Sequence, residues 1–288
     1  MTHLAIGIDI GGSGIKACAV DVATGQLVGD RQRIATPNPS RPDAVVEATV
    51  RLVRRIVNGL PDEAEAATAP IGIGIPSVVV DGVTRSAANI DPTWVDFPAA
   101  IEFGRALGRP VSLVNDADAA GVAEMRFGAG VGKRGVVFVL TLGTGLGSGL
   151  FIDGTLVPNT ELGHMEIRGK DAERRSAAAA RLKRGLSWKG WAADLDEHLI
   201  AIDRLFSPNL IILGGGVSKG PERFVPFLTV RVPVVAAELR NDAGIVGAAM
   251  FAVDRAGAAI DRADAAEDRA DTAEDRADAA EDGPRPDR

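Results

Sequence analysis

The chain predicts an α/β protein with mixed sheets and an internal duplication, and two observations carry that expectation. The first is a pair of glycine-rich turns, Asp9-Ile10-Gly11-Gly12-Ser13-Gly14-Ile15-Lys16 and Thr141-Leu142-Gly143-Thr144-Gly145-Leu146-Gly147, each leading from one apolar strand into another rather than into a helix. Without Cβ atoms the main chain of such a hairpin comes close to an anion and can turn its N–H groups towards it. Two of them, far apart and similarly built, predict a duplicated fold that grips one polyphosphate chain from both sides. The second observation is the order of elements. Strands open the chain as a meander and then alternate with helices, the pattern of mixed α/β sheets.

Taken in order, Leu4–Asp9, Gly14–Asp21 and Gly25–Arg33 read as the meander. A proline-rich loop (36–42) precedes a helix capped by Asp43, whose Val45, Val46, Val50, Val53 and Val57 keep helical spacing. Ile71–Ile75 is a buried strand in which Gly72 and Gly74 mark close backbone packing. Strand Val111–Val114 ends at Asn115-Asp116, followed by helix 117–127, a glycine linker (Gly128, Gly130, Gly132) and strand Val136–Leu142. Ser187 caps a long helix with Trp188, Trp191, Leu195, Leu199, Ile202 and Phe206 on its apolar face. Strand Asn209–Leu213 runs into Gly214-Gly215-Gly216; strand Val232–Val235 and helix Asn241–Val253 close the body. The expected organisation is an N-terminal domain over 1–114 and a C-terminal domain over 115–253, whose last helix can return to the first. An acidic tail over 254–288 completes the chain.

Charge is unevenly placed. Residues 261–282 hold ten acidic residues against three arginines, a net −7 that equals the formal charge of the whole chain. Residues 283–288 add +1, so the body carries only −1. The tail repeats Asp-Arg-Ala-Asp-(Ala/Thr)-Ala-Glu every seven residues, but alanine is its only apolar residue and a coiled-coil seam would have nothing to bury. It reads as a solvated helix or a disordered tail. No apolar run approaches the ~20 residues of a membrane helix, and Met1-Thr2-His3-Leu4 lacks the basic start of a signal peptide. Cys18, the only cysteine, excludes an intrachain disulfide and a multi-cysteine metal site; it agrees with a cytoplasmic location.

Two near-motifs fail on inspection. In Gly128-Ala129-Gly130-Val131-Gly132-Lys133 the leading glycine is misplaced for a P-loop and Arg134 stands where Ser or Thr is required. Gly143, Gly145, Gly147 and Gly149 open a strand, whereas a dinucleotide fingerprint opens a helix. What remains resembles the ROK family of sugar kinases and regulators. The two glycine turns resemble its two phosphate motifs, and Gly214-Gly215-Gly216-Val217-Ser218 its nucleotide-end motif. Asn115-Asp116 and Glu161-Leu162-Gly163-His164 resemble its sugar-binding pair, and the order holds from Leu4 to about Val253. Leu186-Ser187-Trp188, Leu205-Phe206-Ser207-Pro208-Asn209 and Ala243-Gly244-Ile245-Val246-Gly247 are similar to the branch that phosphorylates glucose from inorganic polyphosphate or ATP. The resemblance implies a duplicated, ribonuclease H-like actin-type ATPase fold, two α/β domains with a cleft between them, working as a homodimer. Many ROK members carry a zinc-binding Cys-x-Cys-Gly-x-x-Gly-Cys loop after the Glu-x-Gly-His motif. This chain has Lys170–Lys189 there, so no zinc is expected.

By that resemblance Gly11, Gly12, Ser13, Gly14, Thr141, Gly143, Thr144, Gly145, Gly147, Gly214, Gly215 and Gly216 hold the donor, and Asp9 holds Mg²⁺ through water. Lys16 reads as a phosphate contact or as an exposed strand residue. Asn89, Asn115, Asp116, Glu161 and His164 face the sugar, offering the mixed donors and acceptors that hydroxyls need. A sugar hydroxyl is a poor nucleophile until its proton is taken, and a carboxylate at a strand's C-terminal end suits that task, which assigns Asp116 as general base. Alone, Asp116 would read equally as a helix cap; His3 and His198 keep structural readings.

Arg168, Lys170, Arg174, Arg175, Arg181, Lys183, Arg184 and Lys189 follow the sugar motif with only Asp171 and Glu173 against them, a local +6. The segment reads as a solvated charged face or as a track for a long polyanion. Polyphosphate suits it better than nucleic acid, because no aromatic platform accompanies the charge. The competing expectations are an ATP-only hexokinase acting on glucose, mannose or glucosamine, and a non-catalytic sugar-sensing regulator. The regulators carry an N-terminal helix-turn-helix domain, and here the first strand begins at Leu4.

Overall fold

The structure, a computed structural model, describes residues 3–87 and 89–259; the heptad repeat at 261–282 lies outside the described residues. β1 (Leu4–Gly11), β2 (Gly14–Asp21) and β3 (Leu27–Ile34) form an antiparallel meander, and the Gly11–Gly14 pairing closes the first glycine turn. α1 (Pro42–Val57) and α2 (Glu63–Thr68) lead to β4 (Ile71–Ile75), which lies parallel to β1. A short hairpin, β5 (Val79–Val80) and β6 (Val83–Thr84), and α3 (Ala99–Leu107) precede β7 (Val111–Asn115), parallel to β4. α4 (Asp116–Phe127) then crosses to the second half.

That half repeats the plan. β8 (Val136–Leu142), β9 (Leu146–Ile152) and β10 (Thr155–Val157) form a second meander, with Leu142 paired to Leu146 across the second glycine turn. A two-stranded ribbon, β11 (Glu166–Ile167) and β12 (Lys170–Asp171), precedes α5 (Glu173–Ser176), α6 (Ala178–Lys183) and α7 (Trp188–Phe206). β13 (Leu210–Gly215) is parallel to β8, and β14 (Val234–Ala236) to β13. α8 occupies 243–259 and so runs past Val253, where the sequence places the end of the body. The sheet orders are β3-β2-β1-β4-β7 and β10-β9-β8-β13-β14, the same arrangement twice.

Period-2 alternation explains why β1 is buried on both faces. Ile6, Ile8 and Ile10 pack with Val45 and Leu52 of α1, whereas Ala5 packs with Ile245, Ala249 and Met250 of α8. On that second face glycine is obligatory at two points. A methyl at Gly7 would overlap the Ile245 carbonyl, and one at Gly72 the Ala248 carbonyl. Gly247 of α8 meets the Ala119 carbonyl of α4 in the same way. Gly74, expected to behave like Gly72, does not: its added Cβ would lie 3.5 Å from the Ala119 Cβ, an ordinary contact.

Two helix starts separate the expectations. Ser187 is the N-cap of α7, its hydroxyl accepting from Gly190 N at 3.1 Å. α1 instead begins at Pro42 with no side-chain cap, and Asp43 is merely an acid in its first turn. Proline at N1 removes one of the donors a cap would have to satisfy. Trp191 is fully buried, while Trp188 lies at the edge of the same cluster, stacked on Phe224 at 6.0 Å.

The helix–sheet contact makes a direct prediction. Gly72→Ala should lower the melting temperature sharply, a loss of more than about 3 kcal/mol because neither carbonyl nor strand can retreat. Gly257→Ala, on α8 with open space around it, should leave stability unchanged or raise it by up to about 1 kcal/mol. Equal melting temperatures for the two variants in a thermal scan would refute the packing argument.

Candidate active site

From the expected set, Asp9, Lys16, Asp116, Thr141, Gly214, Gly215 and Gly216 line one cavity of about 220 Å³; Asn89, Asn115, Glu161 and His164 are not part of its lining. Gly11, Gly12, Ser13 and Gly14 form or border the β1–β2 turn; Gly143, Thr144, Gly145 and Gly147 lie in or beside the β8–β9 turn. Lys16 is more than an exposed strand residue: its Nζ lies 2.8 Å from Asp9 Oδ2 at the cavity wall. Gly244 approaches the Asp9 carboxylate so closely that a Cβ there would sit 2.9 Å from its Cγ. The first turn of α8 is thereby set against Asp9. Gly215 adopts φ +81°, with Leu142 backbone where its side chain would go.

On the acceptor side, Asn115 and Asp116 stand together at the start of α4. Asn115 is the N-cap of α4, its Oδ1 accepting from Ala117 N at 2.8 Å and Asp118 N at 3.2 Å while its Nδ2 donates to the Ser77 carbonyl. Asp116 Oδ1 also accepts from Ala117 N, at 2.9 Å, and Asp116 lines the cavity as well. Burial raises the Asp116 pKa to about 6, and the nearby Asp9 and Glu161 charges add to the effect. Burial likewise pushes the Glu161 carboxyl up, opposed by His164. His164 Nε2 lies 3.9 Å from Glu161 Oε2 and its Nδ1 3.5 Å from Asp171 Oδ2. Glu173 Oε2 accepts from Leu146 N at 3.0 Å, tying the sugar segment to the second glycine turn. His164, Asp171 and Glu173 bring their ligand atoms within 4.8 Å of one another, without a thiolate among them.

Asn89 is exposed at φ +60°, its carbonyl oxygen resting against Gly12 of the first turn. His198, read as a polar helix position, is fully buried; Nε2 donates to the Leu162 carbonyl at 3.1 Å and Nδ1 faces the Ser176 hydroxyl at 2.9 Å. Burial lowers its pKa to about 4, so it is a neutral prop beneath the Glu161–His164 turn. Asp118 and Asn159, absent from the sequence expectations, brace the same loop. Asp118 Oδ2 accepts from Asn159 N at 2.7 Å, while the Asn159 side chain accepts from Val79 N at 2.9 Å and donates to Val79 O at 2.8 Å. Asp118 Oδ1 is buried without a partner among the described residues, and burial raises that carboxyl to about 7.

The basic segment is less free than its local count. Glu197 of α7 pairs with Arg168 at 2.7 Å and Arg175 at 3.0 Å, and Asp194 pairs with Arg175 and Arg184. Arg181 lies over Trp188 at 4.0 Å and Lys189 over Phe227 at 5.8 Å. The +6 reading omitted Asp194 and Glu197 because they lie further along the chain. Lys170 and Lys183 are exposed and unpaired among the described residues, and Arg174 makes only a 4.0 Å contact with Asp171. Ala179 N donates to Gly143 O at 3.0 Å, which docks α6 directly on the second glycine turn.

The raised Asp116 pKa fixes the sign of a stability effect. Its contribution is fully present below the ordinary carboxyl value of about 4 and is lost as pH rises through about 6. Asp116→Asn, neutral throughout, should therefore gain on the parent between pH 4 and pH 7, melting at or above it at pH 7. A difference in melting temperature that does not change with pH would contradict the assigned burial.

Three comparisons bear on this geometry. The ROK family model matches residues 5–182. The chain is 47% identical over 248 residues to a polyphosphate glucokinase of Mycobacterium tuberculosis, covering 86% of this chain and 90% of that protein. Among solved structures it is similar to the inorganic polyphosphate/ATP-glucomannokinase of Arthrobacter sp. strain KM, at 48% identity and TM-score 0.82 over 87% of this chain and 99% of that one. A ROK family glucokinase from Streptomyces griseus in complex with glucose and AMPPNP matches at 27% identity and TM-score 0.71, over 87% and 99% of the two chains. With its repeated sheet order on the actin-like ATPase plan and its two glycine turns, the chain belongs to the ROK family.

Proposed function

We propose that the protein is a glucokinase that transfers a phosphoryl group from inorganic polyphosphate or ATP to the 6-hydroxyl of glucose. The observation that carries this reading is the shared cavity, where Asp116 of the acceptor motif faces Asp9, Lys16, Thr141 and Gly214–Gly216 of the donor motifs. The names of the relatives support glucose and polyphosphate as substrates. Asp116, with a pKa of about 6, is ionised at neutral pH yet basic enough to take the hydroxyl proton as it attacks. Glu161 accepts from a sugar hydroxyl, and His164, held by Asp171, donates to one. The glycine turns direct backbone N–H groups at the donor. The Asp9 carboxylate, a hard oxygen donor on a cavity shared with the phosphate turns, fits Mg²⁺ held through water. When bound, that ion would neutralise charge on the phosphates. No zinc enters this reading, and the Asp171 and Glu173 contacts serve to position His164 and Leu146. The lone buried Cys18 agrees with a cytoplasmic setting, and family membership with a homodimer.

For long donors we assign the track to Lys170, Arg174 and Lys183 beside α6, with Arg168, Arg175 and Arg184 held in ion pairs behind them. No helix among the described residues is long and apolar enough to cross a membrane.

Three measurements test the proposal. Asp116→Asn should cut kcat by about 10²–10⁴-fold with glucose binding still measurable. In the parent, kcat/KM for glucose should fall tenfold per pH unit below about 6, where Asp116 takes up its proton; a flat profile down to pH 5 would exclude it as the base. Lys170→Ala with Lys183→Ala should raise KM for polyphosphate by a factor that grows with chain length and falls with salt, sparing ATP. A wild type that uses ATP alone would leave an ATP-dependent hexokinase instead.

A further inference from the structure

A residue outside every motif described so far points into the donor cavity. Arg240 lines it together with Asn241 and Gly244, beside Asp9, Lys16 and the 214–216 turn. Its backbone adopts φ +53°, in the left-handed region that favours glycine. A bulky side chain at such a position persists only where its surroundings over-determine it, and such residues cluster at functional sites. Here the surroundings do so. The buried Glu124 of α4 accepts from Glu238 N at 3.1 Å and Leu239 N at 2.7 Å, fixing the chain just before Arg240. Asp242, just after it, pairs with Arg31 of β3 at 2.6 Å. One anchor comes from α4 and the other from the first sheet, so the turn bearing Arg240 is clamped from both directions.

The electrostatics are equally specific. Lys16, the other cation on the cavity, is already engaged with Asp9 at 2.8 Å. Arg240 is exposed and has no carboxylate partner among the described residues. It also stands just before the first turn of α8, where the helix dipole adds positive potential. A guanidinium offers a planar fork of donors that matches phosphate oxygens two at a time.

We infer that Arg240 grips a donor phosphate, contacting the few phosphates nearest the transfer site whichever donor carries them. The inference rests on the phosphoryl-transfer reading above for its donor. It assigns Arg240 a task separate from that of Lys170 and Lys183. Those residues meet the far length of a polyphosphate chain, whereas Arg240 meets a segment that ATP and polyphosphate share. A rival explanation is that Arg240 only offsets the Asp9 and Asp116 charges. It would then move the acid limb of the pH profile and leave donor binding alone.

Arg240→Gly suits the backbone and removes the whole side chain with its guanidinium, while Arg240→Lys keeps a cation, so the pair separates these roles. Titration with tripolyphosphate should show binding at least tenfold weaker in Arg240→Gly, with part regained in Arg240→Lys. KM for ATP and for polyphosphate should rise by the same factor at every chain length, with glucose KM and melting temperature held or improved. Tripolyphosphate binding and donor KM within twofold of the parent would overturn the inference, as would a shifted acid limb with unchanged donor binding. A parent that binds tripolyphosphate, loses it in Arg240→Gly and yet transfers nothing to glucose would overturn the kinase reading and uphold Arg240.

Discussion

The close approach of α8 to the first sheet is the contact on which the rest of the site depends. Gly7 and Gly72 let the Ile245 and Ala248 carbonyls lie where side chains would stand, and Gly247 does the same against α4. Main chain against main chain leaves little freedom of register. It therefore fixes where α8 begins, and Gly244 at that beginning touches Asp9. It also fixes α4, whose own first turn carries Asp116 and whose Glu124 reaches the two residues before Arg240. Two helix starts and two glycine turns thus converge because three glycines hold their backbones together.

The site this creates is costly to fold. Burial raises the proton affinity of Asp116, Asp118 and Glu161; the Asp9 and Glu161 charges add to it at Asp116, and those of Glu161 and Asp116 at Asp118. A fold selected for stability alone would dilute those charges. The protein keeps them and offsets the cost with fixed donors, Lys16 on Asp9 and the Asn159 backbone N–H on Asp118. Asp116 and Asp118 keep the highest proton affinities of the group, and of the two only Asp116 lines the cavity.

Much of this was legible in the sequence, because the signals were local. The two glycine turns, the Ser187 cap and the Asn115-Asp116 junction each depend on residues within a few positions, and the structure places them at turns, a cap and the cavity. His198 could have been placed as well. It follows Leu195 by three residues and precedes Ile202 by four, which is the buried face of a helix. The basic segment was misjudged for the opposite reason, since its counter-ions sit on α7 and no local count includes them. Arg240 carried no signal at all: its meaning lies in a backbone angle and in anchors from residues 31 and 124. Asp118 and Asn159 were hidden likewise, because their importance appears only when loop 158–161 meets Val79.

That last contact has a mechanical meaning. The Asn159 amide imitates a strand partner, offering one acceptor and one donor to the backbone of Val79, while its own N–H is held by Asp118. Val79 packs with the first core and residue 160 is bonded to Ser148 of the second sheet. A single side chain is therefore stitched into both lobes, two residues from Glu161. Any separation of the two halves along that edge must break these bonds, and the loop that would lose them is the one that carries Glu161.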